Sequence, residues 1–181
     1  MALGGSFDQL HNGHRNLLTY AAQACQHTLV VGITGDEMLH KKQHADIILP
    51  YDQRAEDVRL FMNTVFSVTS NFRSQRDAPE ADCTLPVSSS TQQQQQRQQQ
   101  LTARLHLDIH QLQEPFGPAI VDPDIDAIAV SSETFTGACK INEIRQAKGM
   151  RCLDILVLRR TDNAILSSSF IRDRIIAQQR Q

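Results

Sequence analysis

The sequence lacks an excess of charge of either sign, and it lacks long apolar runs. Its 181 residues include 18 Lys and Arg against 20 Asp and Glu, a formal net charge of −2. Such a chain has no overall positive field to attract nucleic acid or an anionic membrane, so any positive potential must be local. No apolar run approaches the roughly 20 residues of a membrane span, and the first residues lack the layout of a signal peptide. We therefore expect a cytoplasmic protein that binds neither nucleic acid nor membrane.

Cysteine is scarce as well, and its spacing argues against a zinc site. The four cysteines form no CxxC pair, and the sequence contains no HExxH motif. Two of them lie in apolar patterns typical of buried thiols, which favours a reducing compartment. We predict no metal site built from the protein's own side chains. The cysteines are Cys25, Cys83, Cys139 and Cys152.

Short apolar runs rich in β-branched residues alternate with segments of helical periodicity. Strands that alternate with helices indicate βαβ crossovers and a mostly parallel sheet. We predict an α/β fold with a Rossmann-like, doubly wound sheet, whose ligands bind beyond the carboxyl ends of the strands. The predicted strands are Leu29–Thr34, Phe66–Thr69, Leu105–Leu112, Ile125–Val130 and Leu153–Leu158.

The helices are predicted from their turn residues and their apolar faces. One begins after Pro50 and buries one face, and another runs from about Thr136 to Gly149, where glycine is a natural stop. A last helix follows the serines at 167–169. Before the first glycine only Met1-Ala2-Leu3 remain, so we expect a shortened first strand and a less stable fold. The apolar face after Pro50 consists of Tyr51, Ala55, Val58, Met62 and Val65.

Residues 74–102 break the alternation. They include two prolines, three consecutive serines and a glutamine-rich run at 92–100, with little to bury. Such a composition cannot offset the entropy lost on ordering. We predict a disordered, glutamine-rich insert within one domain that spans residues 1–181; a partner-binding role for this insert is the alternative.

Candidate functional residues are most concentrated in residues 4–14, Gly-Gly-Ser-Phe-Asp-Gln-Leu-His-Asn-Gly-His. Glycines let the backbone approach a ligand closely, and the free N–H groups of the following helix attract anions. His11 and His14, three residues apart, project from one side of the first turn and could stabilise charge on a phosphate under attack. The alternatives are a capping cluster with incidental histidines, or two ligands of a metal.

This motif resembles the signature of the HxGH nucleotidyltransferases, and its residues are similar to those of the same motif in phosphopantetheine adenylyltransferases of the eukaryotic type. Further similar segments follow in the family's order and cover the chain except for the insert. The resemblance implies a cytidylyltransferase-like domain that transfers the adenylyl group of ATP, taken with Mg²⁺, to 4′-phosphopantetheine, giving dephospho-coenzyme A and pyrophosphate. It also implies association with other enzymes of coenzyme A biosynthesis. The segments are residues 31–42, 50–54, 130–145 and 166–172.

The resemblance also assigns the catalytic residues. It implies that His14 contacts the α-phosphate in the transition state and that His11 contacts neighbouring nucleotide phosphates. Ser6 matches the hydroxyl position that touches both the nucleotide and the acceptor phosphate, although alone it reads as a turn residue. A lysine of the 41–42 loop binds the acceptor phosphate in the family, and we favour Lys42 over Lys41.

Further binding residues are implied at four places. The nucleotide-binding set takes in the glycine turn, the end of the fourth strand, and the serines of the last helix, which alone would suggest an ordinary N-cap. Asn142 and Arg145 are expected to bind the substrate. The family's bacterial members carry arginines near residues 131–134 that this chain lacks, so those roles are not transferred. The nucleotide-binding set is Gly5, Ser6, Phe7, His14, Glu133, Thr134, Ser167, Ser168, Ser169 and Arg172.

Other functions share this phosphate apparatus. A cytidylyltransferase or a nicotinamide mononucleotide adenylyltransferase is the nearest alternative. Cytidylyltransferases typically carry the motif R-T-x-G-I-S-T-T near the end of the chain, and this motif is missing around residues 166–172. A class I tRNA synthetase fragment uses similar histidines but would need a basic surface. A catalytically silent nucleotide-binding scaffold is the alternative from another class. No P-loop is present, so the chain carries no dephospho-coenzyme A kinase.

Overall fold

The computed structural model describes residues 1–76, 105–158 and 168–179. Within these residues, five parallel strands form one sheet in the order β3-β2-β1-β4-β5. The strand order reverses between β1 and β4, which confirms the predicted doubly wound, Rossmann-like topology. The strands are β1 Ala2–Gly5, β2 Thr28–Thr34, β3 His106–Leu112, β4 Ala127–Ser131 and β5 Asp154–Leu158. The helices are α1 Asn12–Ala24, α2 Tyr51–Arg76, α3 Phe135–Ala147 and α4 Ser168–Gln179.

The sheet is covered on both faces, and each face has its own apolar cluster. Leu29, Val31 and Ile33 of β2 pack with α1 and α2, whereas Val30 lies on the other face with Ile141 of α3. This alternation follows from the period of two of a strand, and burial on both sides explains why β2 is a continuous apolar run. The two packed faces leave the carboxyl ends of the strands as the edge at which a ligand can bind.

The glycines at the end of β1 and in β2 create space near this edge. The register pairs Gly4 with Gly32 across β1 and β2. A Cβ on Gly32 would lie 2.8 Å from Cδ2 of Leu112, the last residue of β3, so only a glycine leaves room for that side chain.

One predicted strand is wrong, and the start of the predicted insert needs revision. Phe66–Thr69 belongs to α2, whose apolar period extends through Met62 and Val65. Residues 74–76 of the predicted insert end the same helix, and residues 77–102 lie outside the described residues. The first strand is short, as the sequence predicts. β1 has four residues and pairs with β2 and β4, and the Met1 ammonium donates to the Thr28 carbonyl at 3.0 Å. In the described part of the chain, no helix is both long and apolar enough to cross a membrane.

Candidate active site

The connection from β1 to α1 is a tight, buried turn. Phe7, Gln9 and Leu10 have positive φ values of 50°, 58° and 24°. Such values are unfavourable for residues with a Cβ, so the surrounding contacts must hold this backbone in place. Gly5 lies under the Phe7 ring, where an added Cβ would meet the ring at 3.4 Å, and that ring is only 1 % exposed. The turn therefore presents Ser6 and the start of α1 in a fixed geometry.

His11 and His14 form a stacked pair at the N-terminus of α1. Their ring centroids are 3.8 Å apart with an interplanar angle of 21°, and the Phe7 ring lies 5.2 Å from His14. His11 is the N-cap, and its Nδ1 accepts the Gly13 backbone N–H at 3.1 Å. Since Nδ1 is an acceptor, the proton of neutral His11 is on Nε2. The structure thus brings together the two imidazoles that the sequence predicts to be catalytic.

His14 is neutral at physiological pH. Burial, followed by the positive charges that His11 and Lys42 can carry, lowers the pKa of His14 from 6.5 to about 3. Its Nδ1 is buried and has no hydrogen-bond partner among the described residues. A neutral imidazole has one N–H, which can donate to a phosphate oxygen without bringing a full charge into the site.

The N-terminus of α4 lies against the β1–α1 turn. The Ser168 hydroxyl donates to the Asp8 carbonyl at 3.3 Å, although the two residues are 160 positions apart. The Ser169 hydroxyl accepts a hydrogen bond from Arg172, and Ser167 lies outside the described residues. The N-termini of α1 and α4 therefore lie together at this edge, an arrangement whose free N–H groups attract anions.

Asp8 and Arg172 form an ion pair inside this arrangement. The Arg172 Nη1 donates to Asp8 Oδ2 at 2.6 Å, and the two side chains are 2 % and 0 % exposed. The second carboxylate oxygen of Asp8 is buried without a partner among the described residues. Sequence reasoning gave Asp8 no role, although it stands within the quoted motif.

Lys42 lies on the β2–α2 connection and belongs to the same electrostatic cluster. Burial, together with the like charge of Arg172, lowers the pKa of the Lys42 ammonium, while Asp8 partly opposes this shift. Because Lys42 in turn lowers the pKa of His14, the two groups interact electrostatically. Lys42 therefore belongs with the histidines, as the sequence predicts.

Arg54 joins the two loops and was also given no role at the sequence level. Its guanidinium is fully buried and donates to the carbonyls of Ser6 and Leu49 at 2.7 Å each and to Asp36 at 2.6 Å. Burial raises the pKa of Asp36, but the Tyr51 backbone N–H and the Arg54 guanidinium outweigh it, so the pKa lies below its usual value. Arg54 thus fixes the backbone at Ser6 relative to the loop that carries Lys42.

Glu133 and Thr134 lie just beyond β4, in the turn that leads into α3. Thr134 forms a capping box with Ser131, and Glu133 is exposed at this edge. Both residues are therefore at the carboxyl ends of the strands, where the sequence places nucleotide-binding groups.

Asn142 and Arg145 are not brought to this edge. The Asn142 amide donates to the Leu153 carbonyl at 3.0 Å and accepts its N–H at 2.8 Å, just before β5 begins. Arg145 is 1 % exposed and donates to four backbone carbonyls, one of them that of Ile125 before β4. Both side chains therefore brace the opposite edge of the sheet, and the structure gives no support to their predicted substrate contacts.

A cavity of about 240 Å³ opens between the sheet and α3, at the edge where the N-termini of α1 and α4 lie. The cavity is lined by Gly5, Thr34 and Thr134, which lie at or just beyond the carboxyl ends of β1, β2 and β4. Leu112 and Ile141 form apolar walls. Among the described residues, no group of three or more His, Cys, Asp or Glu side chains could hold a metal ion. The candidate site thus combines polar hydrogen-bond donors with an apolar cavity.

Several proteins are similar to this chain. An uncharacterized protein of Schizosaccharomyces pombe is 29 % identical over 96 % of this chain, which spans 47 % of that relative's length. A protein of Pyrococcus furiosus named phosphopantetheine adenylyltransferase is 29 % identical over 97 % of this chain, which spans 88 % of that relative's length. A protein of the same name from Saccharomyces cerevisiae is 29 % identical over 87 % of this chain, which spans 40 % of that relative's length.

The fold is also found in a crystal structure of a protein of unknown function from Archaeoglobus fulgidus. It matches 89 % of this chain and 98 % of that one with a TM-score of 0.56 and 24 % sequence identity. The model of the cytidylyltransferase-like family matches residues 2–174, which include both halves of the site. The chain therefore belongs to the cytidylyltransferase-like family.

Proposed function

We propose that this protein transfers the adenylyl group of ATP to 4′-phosphopantetheine, giving dephospho-coenzyme A and pyrophosphate. The relatives from P. furiosus and S. cerevisiae carry the name of that activity. The observation that carries the proposal is the stacking of His11 on the neutral His14 beside the N-terminus of α4. ATP enters as its magnesium complex.

In this proposal the protein contributes positioning and hydrogen bonds. An oxygen of the acceptor phosphate forms a bond to the α-phosphorus of ATP. The bond from that phosphorus to the bridging oxygen breaks, and pyrophosphate leaves with the electron pair. The N–H of His14 donates to the α-phosphate as its charge redistributes, and the N-terminus of α4 with Ser168 and Ser169 receives the departing phosphates.

Lys42 and the apolar cavity support the choice of acceptor. Two phosphates must approach each other in this reaction, so a cation at the acceptor phosphate offsets their repulsion. Lys42 belongs to the charged cluster that includes His14. The cavity under α3, with the walls Leu112 and Ile141, suits an acceptor with a long, uncharged arm such as pantetheine.

The test is pyrophosphate release from Mg-ATP in the presence of 4′-phosphopantetheine. We expect turnover with this acceptor, and we expect none with nicotinamide mononucleotide or with choline phosphate and CTP. His14→Ala should lower kcat by about 10²–10³, the loss typical of one transition-state donor, with a smaller effect on ATP binding. The exposed His27, substituted in the same way, is the matched control. Turnover with another acceptor alone would refute the proposal.

A further inference from the structure

Arg172 was expected to bind nucleotide phosphates, but its guanidinium is already occupied by the protein. It is 2 % exposed, and each of its three nitrogens donates to a different segment. Nη1 reaches Asp8 at 2.6 Å, Nη2 reaches the Ser169 hydroxyl at 3.2 Å, and Nε reaches the Gln43 carbonyl at 3.1 Å. One side chain therefore connects the β1–α1 turn, the β2–α2 connection and α4.

The pair with Asp8 also changes what charge the site offers. A buried carboxylate and guanidinium at this distance largely neutralise each other. Among the residues that the structure describes, the ammonium of Lys42 is then the cation of this cluster that forms no ion pair. A phosphate that approaches the cluster is attracted mainly by Lys42.

Gln43 is the residue next to Lys42, so its contacts restrict where Lys42 can lie. Its carbonyl accepts from Arg172, and its side-chain amide donates to Asp173 of α4 at 3.3 Å. The His44 ring lies 3.1 Å from the same carboxylate. Residues 43 and 44 are thus held against α4 by two consecutive residues of that helix.

We propose that Arg172 is a positioning residue, which places Lys42 at the acceptor phosphate by holding the Gln43 carbonyl and neutralising Asp8. The role of Lys42 in this statement rests on the proposed function. Arg172 acts on the acceptor side of the reaction, although it belongs to the helix whose N-terminus lies on the nucleotide side.

The first test is Arg172→Lys, which keeps the positive charge but cannot donate to three segments at once. We expect the KM for 4′-phosphopantetheine to rise about tenfold or more, as on loss of a charge-assisted phosphate contact, and the KM for ATP to change less than about twofold. Arg174→Lys, at an exposed arginine of the same helix, is the matched control. A rise in the KM for ATP alone, or no change in either KM, would overturn the proposal.

A double-mutant cycle separates positioning from direct contact. If Arg172 acts through Lys42, Arg172→Lys should not raise the acceptor KM further in a Lys42→Ala background. If Arg172 contacts a phosphate itself, the two effects should multiply. Multiplication would therefore refute the positioning role even when the single variants behave as expected.

A third measurement needs no substrate. Hydrogen exchange of the free protein should quicken about tenfold at residues 40–47 in Arg172→Lys and in Asp8→Asn, with β2 unchanged. Uniform quickening over the chain, or loss of folding in both variants, would indicate a general structural role and overturn the proposal. If the wild type fails to use 4′-phosphopantetheine, this exchange result still decides whether Arg172 holds the loop.

Discussion

His14 should make the protein less stable as the pH falls, and His14→Gln should remove that dependence. The pKa of His14 is about 3 in the folded protein, against an ordinary value of 6.5. Between these values the unfolded chain binds the proton and the folded protein does not. The free energy of unfolding therefore falls as the pH is lowered from about 6.5 towards 3, and His14 has no further effect above 6.5.

The size of this effect follows from the shift. Each pH unit between the two pKa values contributes about 1.4 kcal/mol, so His14 should account for a loss of about 2 kcal/mol between pH 7 and pH 5. The cause is burial against Phe7 and His11, which disfavours the charged ring.

Urea unfolding at pH 7 and pH 5 measures the effect. The wild type should lose about 2 kcal/mol more than His14→Gln between the two pH values, because a glutamine does not titrate. His106→Gln, at an exposed histidine of β3, shows what removal of a surface histidine does to the same difference. Equal losses in the wild type and His14→Gln would refute the buried, neutral imidazole.

Three further predictions concern the acceptor loop, the glycine of β2 and the opposite edge of the sheet. Lys42→Ala should raise the KM for 4′-phosphopantetheine at least about tenfold, whereas Lys41→Ala should leave it nearly unchanged; initial rates at saturating ATP test this. Gly32→Ala should destabilise the fold by about 1–3 kcal/mol in urea unfolding, since the new Cβ meets the Leu112 side chain at 2.8 Å. Leu112→Ala in the same protein should relieve part of that loss, and strictly additive losses of the two variants would contradict the clash. Arg145→Met should cost about 2–4 kcal/mol because it leaves buried carbonyls unpaired, without changing the KM for ATP in the protein that remains folded.

The fold was largely predictable because parallel strands are buried on both faces. The runs at Leu29–Thr34 and Leu105–Leu112 correspond closely to β2 and β3. The run Phe66–Thr69 misled because a short run with three apolar or β-branched residues is compatible with a strand and with a helix. The helical period that begins after Pro50 continues past residues 66–69, so packing of the long helix α2 makes these residues helical.

The site was predictable where local sequence carries the chemistry, and unpredictable where distant residues decide. His11, His14 and Lys42 lie together as predicted. Arg172 was predicted to bind nucleotide phosphates, because nothing in the local sequence shows that its partner is Asp8, 164 residues away. Arg145 and Asn142 brace segments that precede and follow α3 in the chain, which no local pattern of polar residues can reveal.

The link between Asp8 and Arg172 sets the order in which the protein can be completed during synthesis. Asp8 leaves the ribosome early, and its partner follows 164 residues later. A buried carboxylate without its cation is unfavourable, so the β1–α1 turn cannot settle into its final geometry until α4 has emerged. Nascent chains shorter than this should have an open N-terminal turn that a protease can reach. The geometry of the candidate site is therefore complete only after α4 has joined the β1–α1 turn.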